Sequence, residues 1–199
     1  MARYQRKDHY HQRAKREGYR SRAAYKLEEI QRAQRLLRPG QRVVDLGCWP
    51  GGWLQVASAA VGARGRVVGV DRAEIEPALD NENVIAMCGD LAEPRVWKDI
   101  LEALGGLADV VLSDAAPKLS GVRATDCARE EALLEGVEAA LPTLLRPGGS
   151  LLLKILEGPD AQRVDRRIRE RFERARGMRP RASRKGSTER YLVARGYRG

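Results

Sequence analysis

RVVDLGCWPGGW, residues 42–53, joins an apolar run to a glycine-rich turn. Val43-Val-Asp-Leu46 has the length and β-branched content of a buried strand. Gly47, Gly51 and Gly52 allow a sharp turn and a close approach of backbone to a ligand. The residues from Gly52 to about Val61 read as a helix whose N-terminus faces that turn and favours negative charge. The spacing is not GxGxxG, and Pro50 stiffens the turn. It therefore suits a group smaller than a pyrophosphate, such as the carboxylate of a methionine moiety. A purely structural turn would use the same residue types.

Outward from this stretch, strands and helices alternate. RVVGVD (66–71), NVIAMC (83–88), DVVLSD (109–114) and SLLLKIL (150–156) read as further strands. Pro94 opens a helix through WKDILEAL. A longer helix is expected over about Thr125–Leu145, with Ala132, Leu133, Val137, Ala140, Leu141, Leu144 and Leu145 as its buried face. Ser21 is positioned to cap a helix reaching about Leu37, with Ala23, Leu27, Ile30 and Leu37 as its stripe and Pro39-Gly40 as its stop. A helix over about Asp160–Arg174 leads to two last strands, around Met178–Ala182 and Arg190–Ala194, joined closely enough to pair antiparallel. Apolar, two-sided strands alternating with helices give an α/β fold. The expected architecture is a doubly wound, mostly parallel sheet with one antiparallel strand, its ligand at the carboxyl ends of the strands near the switch point.

The 199 residues suffice for one such domain. We expect a single domain over residues 20–199, preceded by a loose basic arm over 1–19 that lacks apolar periodicity. No run of about 18 apolar residues exists, and the charged N-terminus lacks the apolar region of a secretory signal, so no membrane partner is expected. Cys48, Cys88 and Cys127 have neither CxxC spacing nor an even count, which fits a reducing cytoplasm. His9 and His11 lack nearby partner ligands, so no metal is expected. A monomer is expected, since no long apolar face is left over.

The net charge of +10 is unevenly spread. Residues 1–42 carry 13 Lys/Arg against 4 Asp/Glu, and residues 159–199 carry 14 against 5. The stretch between them carries 10 against 18. An acidic body with two basic ends suggests a polyanion held by the ends, although solvated helix faces would give the same counts. Tyr4, Tyr10, Tyr19 and Tyr25 punctuate the basic N-terminus and could stack on bases; packing of the first helix is the other role open to Tyr25.

Several acidic residues fall at strand ends. Asp71 closes the second strand about 20 residues past the glycines, where a carboxylate can hold ribose hydroxyls. Asp90 follows the third strand, where it could accept from an adenine amino group. Each alone also fits a helix cap; together on one sheet edge they point to a nucleoside, and they would suit a cationic sulfonium. Four charged residues sit where charge is costly. Lys154 interrupts SLLLKIL, Asp114 ends DVVLSD, Lys26 falls on the apolar stripe of the first helix, and Glu189 opens the antiparallel strand. Fold geometry places Asp114, Lys154 and Glu189 on one rim, with Lys26 brought there by its helix. A buried ion-pair network supporting the sheet would explain them equally.

Arg20-Ser-Arg-Ala-Ala-Tyr-Lys26-Leu, Asp45-Leu-Gly-Cys-Trp-Pro-Gly-Gly-Trp53, Leu112-Ser-Asp114-Ala-Ala-Pro117, Leu153-Lys154-Ile-Leu-Glu-Gly158 and Ser187-Thr-Glu189-Arg-Tyr191 resemble, in order and spacing, the FtsJ/RrmJ ribose methyltransferases. The resemblance runs from about Tyr19 to Ala194. It implies that Lys26, Asp114, Lys154 and Glu189 form a catalytic tetrad. It also implies that Gly51, Trp53, Asp71, Asp90 and Asp114 line an S-adenosylmethionine site. The chain departs from the family at Cys48-Trp49, which replace two small residues, and at Leu156-Glu157, which replace an aromatic–polar pair. The implied reaction is in-line attack of a ribose 2′-hydroxyl on the sulfonium methyl, with Lys154 accepting or steering the proton. The implied substrate is a uridine in the A-loop of 23S rRNA within the large ribosomal subunit. A tRNA-directed enzyme of the same family, a non-catalytic RNA-binding assembly factor and a nicotinamide oxidoreductase are the competing readings. The absent GxGxxG speaks against the last.

Overall fold

In the computed structural model, which describes residues 9–117, 120–156, 158–184 and 186–199, the apolar runs become one seven-stranded sheet. The strands are β1 (Arg42–Leu46), β2 (Arg66–Asp71), β3 (Val84–Cys88), β4 (Ala108–Ser113), β5 (Leu145–Leu156), β6 (Phe172–Met178) and β7 (Glu189–Tyr197). Their order is β3-β2-β1-β4-β5-β7-β6. β1 pairs in parallel with both β2 and β4, so the direction of winding reverses beside β1. β7 runs antiparallel to both β5 and β6 and is the one strand of opposite sense. This is the doubly wound, mostly parallel architecture with one antiparallel strand that the sequence pattern predicts.

Because strand side chains alternate, each strand serves two cores. Val44, Val68, Val111 and Leu153 face α4 (Pro94–Leu104), α5 (Arg123–Leu144) and α6 (Pro159–Glu170). Val43, Val67, Leu112 and Leu152 face α2 (Ala24–Gln34) and α3 (Gly52–Val61). Lys154 shares the parity of Leu152, and Asp45 that of Val43. Both therefore point to the α2/α3 side.

Several local expectations change. Ser21 does not cap α2: the N-cap is Ala23, with no side-chain cap bond. Ser21 instead presses its Oγ over Gly52, where an added Cβ would lie 2.3 Å away. α2 ends at Gln34 rather than Leu37, because Arg35 turns left-handed (φ 48°) and donates its N–H to Gln31. On α5, Leu134 is buried while Ala132 is exposed and Leu133 half-buried; the helix turns those two toward a cavity rather than the core. α6 stops at Glu170, and the strand expected around 178–182 begins at Phe172. The exposed Arg174 and Arg176 hide its alternation, and Phe172, Ala175 and Met178 supply its apolar contacts.

The expected loose arm also carries structure. His9–Arg16 is a helix, α1, with Ala14 buried. Tyr10 and Tyr19 each lie 5.5 Å from the ring of Tyr25. The Tyr25 hydroxyl donates to Glu17 at 2.9 Å and that of Tyr19 to Glu28 at 2.6 Å. These three tyrosines thus form a satellite core with Ala14 and Ala182 rather than a free stacking surface. Tyr4 lies outside the described residues.

Placing a charge in that satellite core would cost more than so small a contact returns. Ala14→Asp is expected to undock α1. Trypsin should then cut rapidly after Arg13, Lys15 or Arg16 while the melting temperature of the main body changes little. Unaltered resistance to cleavage would contradict the docking.

Candidate functional site

The carboxyl ends of β1 to β4 open onto a cavity of about 800 Å³, within the size range of small-molecule sites. Its wall includes Gly47, Asp71, Asp90 and Asp114 from strand ends, and Ala132 and Leu133 from α5. Gly47 is left-handed (φ 80°), and an added Cβ there would stand 2.4 Å from that of Ala115. Only a glycine lets the turn after β1 lie this close to the segment after β4.

Asp71 accepts the Trp49 N–H at 3.0 Å and the Ala73 N–H at 2.9 Å, which fixes its carboxylate at the cavity rim. Asp90 accepts from the Ala92 N–H at 3.0 Å and pairs with Arg72 at 2.7 Å. Those two contacts hold its carboxyl below the usual range. Arg72, the residue directly after β2, belongs to no motif, and its place at the site is visible only in the fold. Two expected residues are not in the cavity wall. Gly51 is the left-handed N-cap of α3, and its N–H donates to Cys48 at 2.7 Å. Trp53 is buried, donating its indole N–H to Ala23 at 2.9 Å. Both shape the turn behind the cavity.

The four costly charges do converge. Asp114 Oδ1 lies 3.2 Å from Lys154 Nζ and 3.9 Å from Lys26 Nζ. Lys26 Nζ is 2.9 Å from Glu189 Oε1. Lys154 also donates to the backbone carbonyl of Asp114. Lys26 and Lys154 are 8% and 7% exposed, so neither is a solvated surface lysine. The register explains the meeting. Leu112 pairs with Leu152, Lys154 with Tyr191 and Leu156 with Glu189, so Asp114, Lys154 and Glu189 emerge at one edge. α2 delivers Lys26 from above. Burial would raise the Glu189 carboxyl, but the neighbouring Lys26 and Lys154 ammonium groups help to outweigh it and hold it low.

Tyr191, two residues beyond Glu189 and fully buried, completes the cluster. Its hydroxyl donates to Asp114 Oδ1 at 2.6 Å and accepts from Lys26 Nζ at 3.0 Å. In the sequence it closes the Ser187–Tyr191 motif, with no role implied for its hydroxyl. Its signal is alternation: residues i and i+2 of a strand share a face, so Tyr191 faces wherever Glu189 does.

Below this cluster lies Asp45, 1% exposed, with neither carboxylate oxygen hydrogen-bonded among the described residues. Burial, then the charges of Asp114 and Asp71, push its carboxyl well above the usual range. A carboxyl raised in this way favours the folded state most below the unfolded-chain pKa, and loses that advantage as pH rises through the folded value. Asp45→Asn should therefore gain on the parent protein as pH rises from mildly acidic to alkaline, by up to about 1.4 kcal/mol per pH unit. Urea midpoints across that range should diverge in favour of the variant. Parallel profiles would contradict the assignment of a neutral acid.

Residues 19–197 match the model of the FtsJ-like methyltransferases. The chain is 44% identical over 193 residues to the ribosomal RNA large subunit methyltransferase E of Methanothermobacter thermautotrophicus, covering 97% of this chain and 91% of that protein. It is 46% identical to the protein of the same name from Pseudomonas aeruginosa, covering 96% and 92%. Among solved structures it is similar to a ribosomal RNA methyltransferase from Plasmodium falciparum (TM-score 0.79, 25% identity, covering 91% of this chain and all of that one). Its fold is also that of an Aeropyrum pernix fibrillarin solved with bound S-adenosylmethionine (TM-score 0.63, 19% identity, 88% and 75% covered). The chain belongs to the FtsJ-like methyltransferase family.

Proposed function

We propose that this protein transfers the methyl group of S-adenosylmethionine to the 2′-hydroxyl of a ribose in large-subunit ribosomal RNA, a uridine of the 23S A-loop. The observation that carries the reaction type is the buried meeting of Lys26, Asp114, Lys154 and Glu189, with Asp114 also lining the cavity. A structural ion-pair network has no need of a cavity at its edge. The substrate reading draws on the names of the large-subunit relatives, and the 2′-hydroxyl and the A-loop on the motif resemblance.

The donor set fits the cofactor. Asp71 would hold ribose hydroxyls, Asp90 the adenine end, and the close turn at Gly47 the amino-acid end, with Gly51 and Trp53 supporting that turn from behind. Asp114 places negative charge where a sulfonium would lie. When bound, S-adenosylmethionine supplies an electrophilic methyl carbon. Lys154 holds the incoming hydroxyl in line and accepts or steers its proton at Nζ. Lys26 and Glu189 hold Asp114 and Lys154 in register. Alignment of this kind can be worth roughly 7–11 kcal/mol, and a positioned base about 10²–10⁴-fold in rate.

The methyl acceptor enters a pocket in a folded domain, so its nucleotide is splayed from any duplex at about a few kcal/mol. The basic N-terminal segment and the Arg-rich C-terminal segment hold phosphates on either side of the target. No helix of the described residues is long and apolar enough to cross a membrane. We assign the protein to the cytoplasm, acting as a monomer.

Lys154→Ala is expected to abolish methyl transfer in single turnover while S-adenosylmethionine still binds near-normally; wild-type turnover by that variant would remove Lys154 from the reaction. Affinity for RNA should fall steeply as salt rises, since phosphate contacts release counterions. A flat salt response would reject the basic ends as the grip. Mapping ribose methylation in 23S rRNA from cells with and without the protein tests the target: loss at one A-loop uridine is expected, and an unchanged map there contradicts it.

A further inference from the structure

The buried cluster divides into two arms. Lys154 leans on Asp114 through both the side chain and the backbone carbonyl, and Lys26 leans on Glu189. The direct approach of Lys26 to Asp114, 3.9 Å, is too long for a hydrogen bond. The Tyr191 hydroxyl fills that gap, accepting from Lys26 at 3.0 Å and donating to Asp114 at 2.6 Å. Its proton is committed to the carboxylate and its oxygen to the ammonium, so it bridges the arms with both hydrogen-bonding functions in use.

We propose that Tyr191 is a positioning residue for methyl transfer: it couples Lys26 to Asp114 and thereby fixes the carboxylate against which Lys154 is held.

Three further observations support this role. The ring is locked. Tyr191 is 0% exposed, its centroid lies 6.0 Å from that of Trp53, and Lys26 Nζ holds its hydroxyl at 3.0 Å. The hydroxyl stays protonated, since burial and then the charges of Asp114 and Glu189 push its pKa well above the ordinary tyrosine value. The backbone placement is direct, because Tyr191 is the register partner of Lys154 on β5. A rigid phenol on the strand beside the reacting lysine has its oxygen placed by the sheet rather than by a flexible chain. Asp114 Oδ1 is thereby shared between Tyr191 and Lys154, and loss of the phenol would let the carboxylate rotate. Positioning errors of this kind act on the chemical step more than on ground-state binding.

This inference rests on the methyl-transfer reading, and the test separates the two. Tritiated methyl transfer to large ribosomal subunits from cells lacking the protein is measured in single turnover for the parent protein, Tyr191→Phe, Lys26→Met and the double variant. No transfer by the parent protein overturns the functional reading, and this inference with it. Given parental transfer, Tyr191→Phe should slow the step at least about tenfold, while S-adenosylmethionine and subunit affinities change less than about twofold. The double variant should be about as slow as the slower single variant, as expected for residues acting as one unit. A transfer rate for Tyr191→Phe within twofold of the parent, an equal loss in cofactor affinity, or losses that simply multiply would each overturn the role. Should Tyr191→Phe fail to fold, 3,5-difluorotyrosine placed at 191 keeps the ring shape while altering the hydroxyl. A rate change of at least about threefold is then expected, and an unchanged rate overturns the proposal.

Discussion

The contact on which this molecule turns is the one between the Asp114 carboxylate and the Lys154 ammonium, 3.2 Å apart at the edge of the sheet. Taking two charges out of water costs several kcal/mol each, and a pair at this depth survives only if its remaining hydrogen-bonding capacity is used. Here the surroundings supply it. The backbone carbonyl of Asp114 takes a second bond from Lys154. Tyr191 and Lys26 occupy the other side of the carboxylate, and Glu189 balances Lys26. Replacing such buried pairs by apolar residues is often neutral or stabilising, which supports the proposal that the cluster serves the reaction rather than the sheet.

The topology makes the cluster possible. β1 pairs with β2 on one side and β4 on the other, and the reversal opens a crevice beyond the strand ends. Asp71, Asp90 and Asp114 stand around that crevice because each closes its strand or follows it within two residues. Gly47 keeps the crevice narrow, since a larger residue would collide with Ala115. The antiparallel β7 then does what a parallel strand in its place could not: its first residues, Glu189 and Tyr191, arrive at the edge where β4 and β5 finish. One reversed strand thus brings side chains from opposite directions of the chain to a single point.

Much of this was legible in the sequence, because alternation and cost are local properties. A lysine inside SLLLKIL and an aspartate closing DVVLSD are conspicuous against their apolar neighbours, and the parity of a strand fixes which face they share. The parallel sheet, its reversed strand and the edge where the charges meet followed from the same pattern. What escaped was set by tertiary contact. Tyr191 resembles any buried aromatic until its hydroxyl is seen between Lys26 and Asp114. α1 is short and mostly polar, and it docks through Ala14 and Tyr10, which meet Tyr25 beside Ala182. β6 was displaced by about six residues because exposed arginines at 174 and 176 carry no hydrophobic signal and its pairing with β7 decides its place. Trp53 and Gly51 stand behind the cavity rather than in its wall, a distinction that motif spacing alone does not make.

The proposed transfer requires the donor methyl to lie beside Asp114 and opposite Lys154. A crystal structure of the complex with S-adenosylhomocysteine measures this directly, because the thioether sulfur marks where the methyl was attached. The sulfur should lie next to the Asp114 backbone, leaving between it and Lys154 Nζ a gap that one hydroxyl oxygen fills at a near-attack separation of about 3–3.5 Å from the methyl position. A sulfur seated elsewhere in the cavity, with Lys154 shut off from it by protein, would contradict the account.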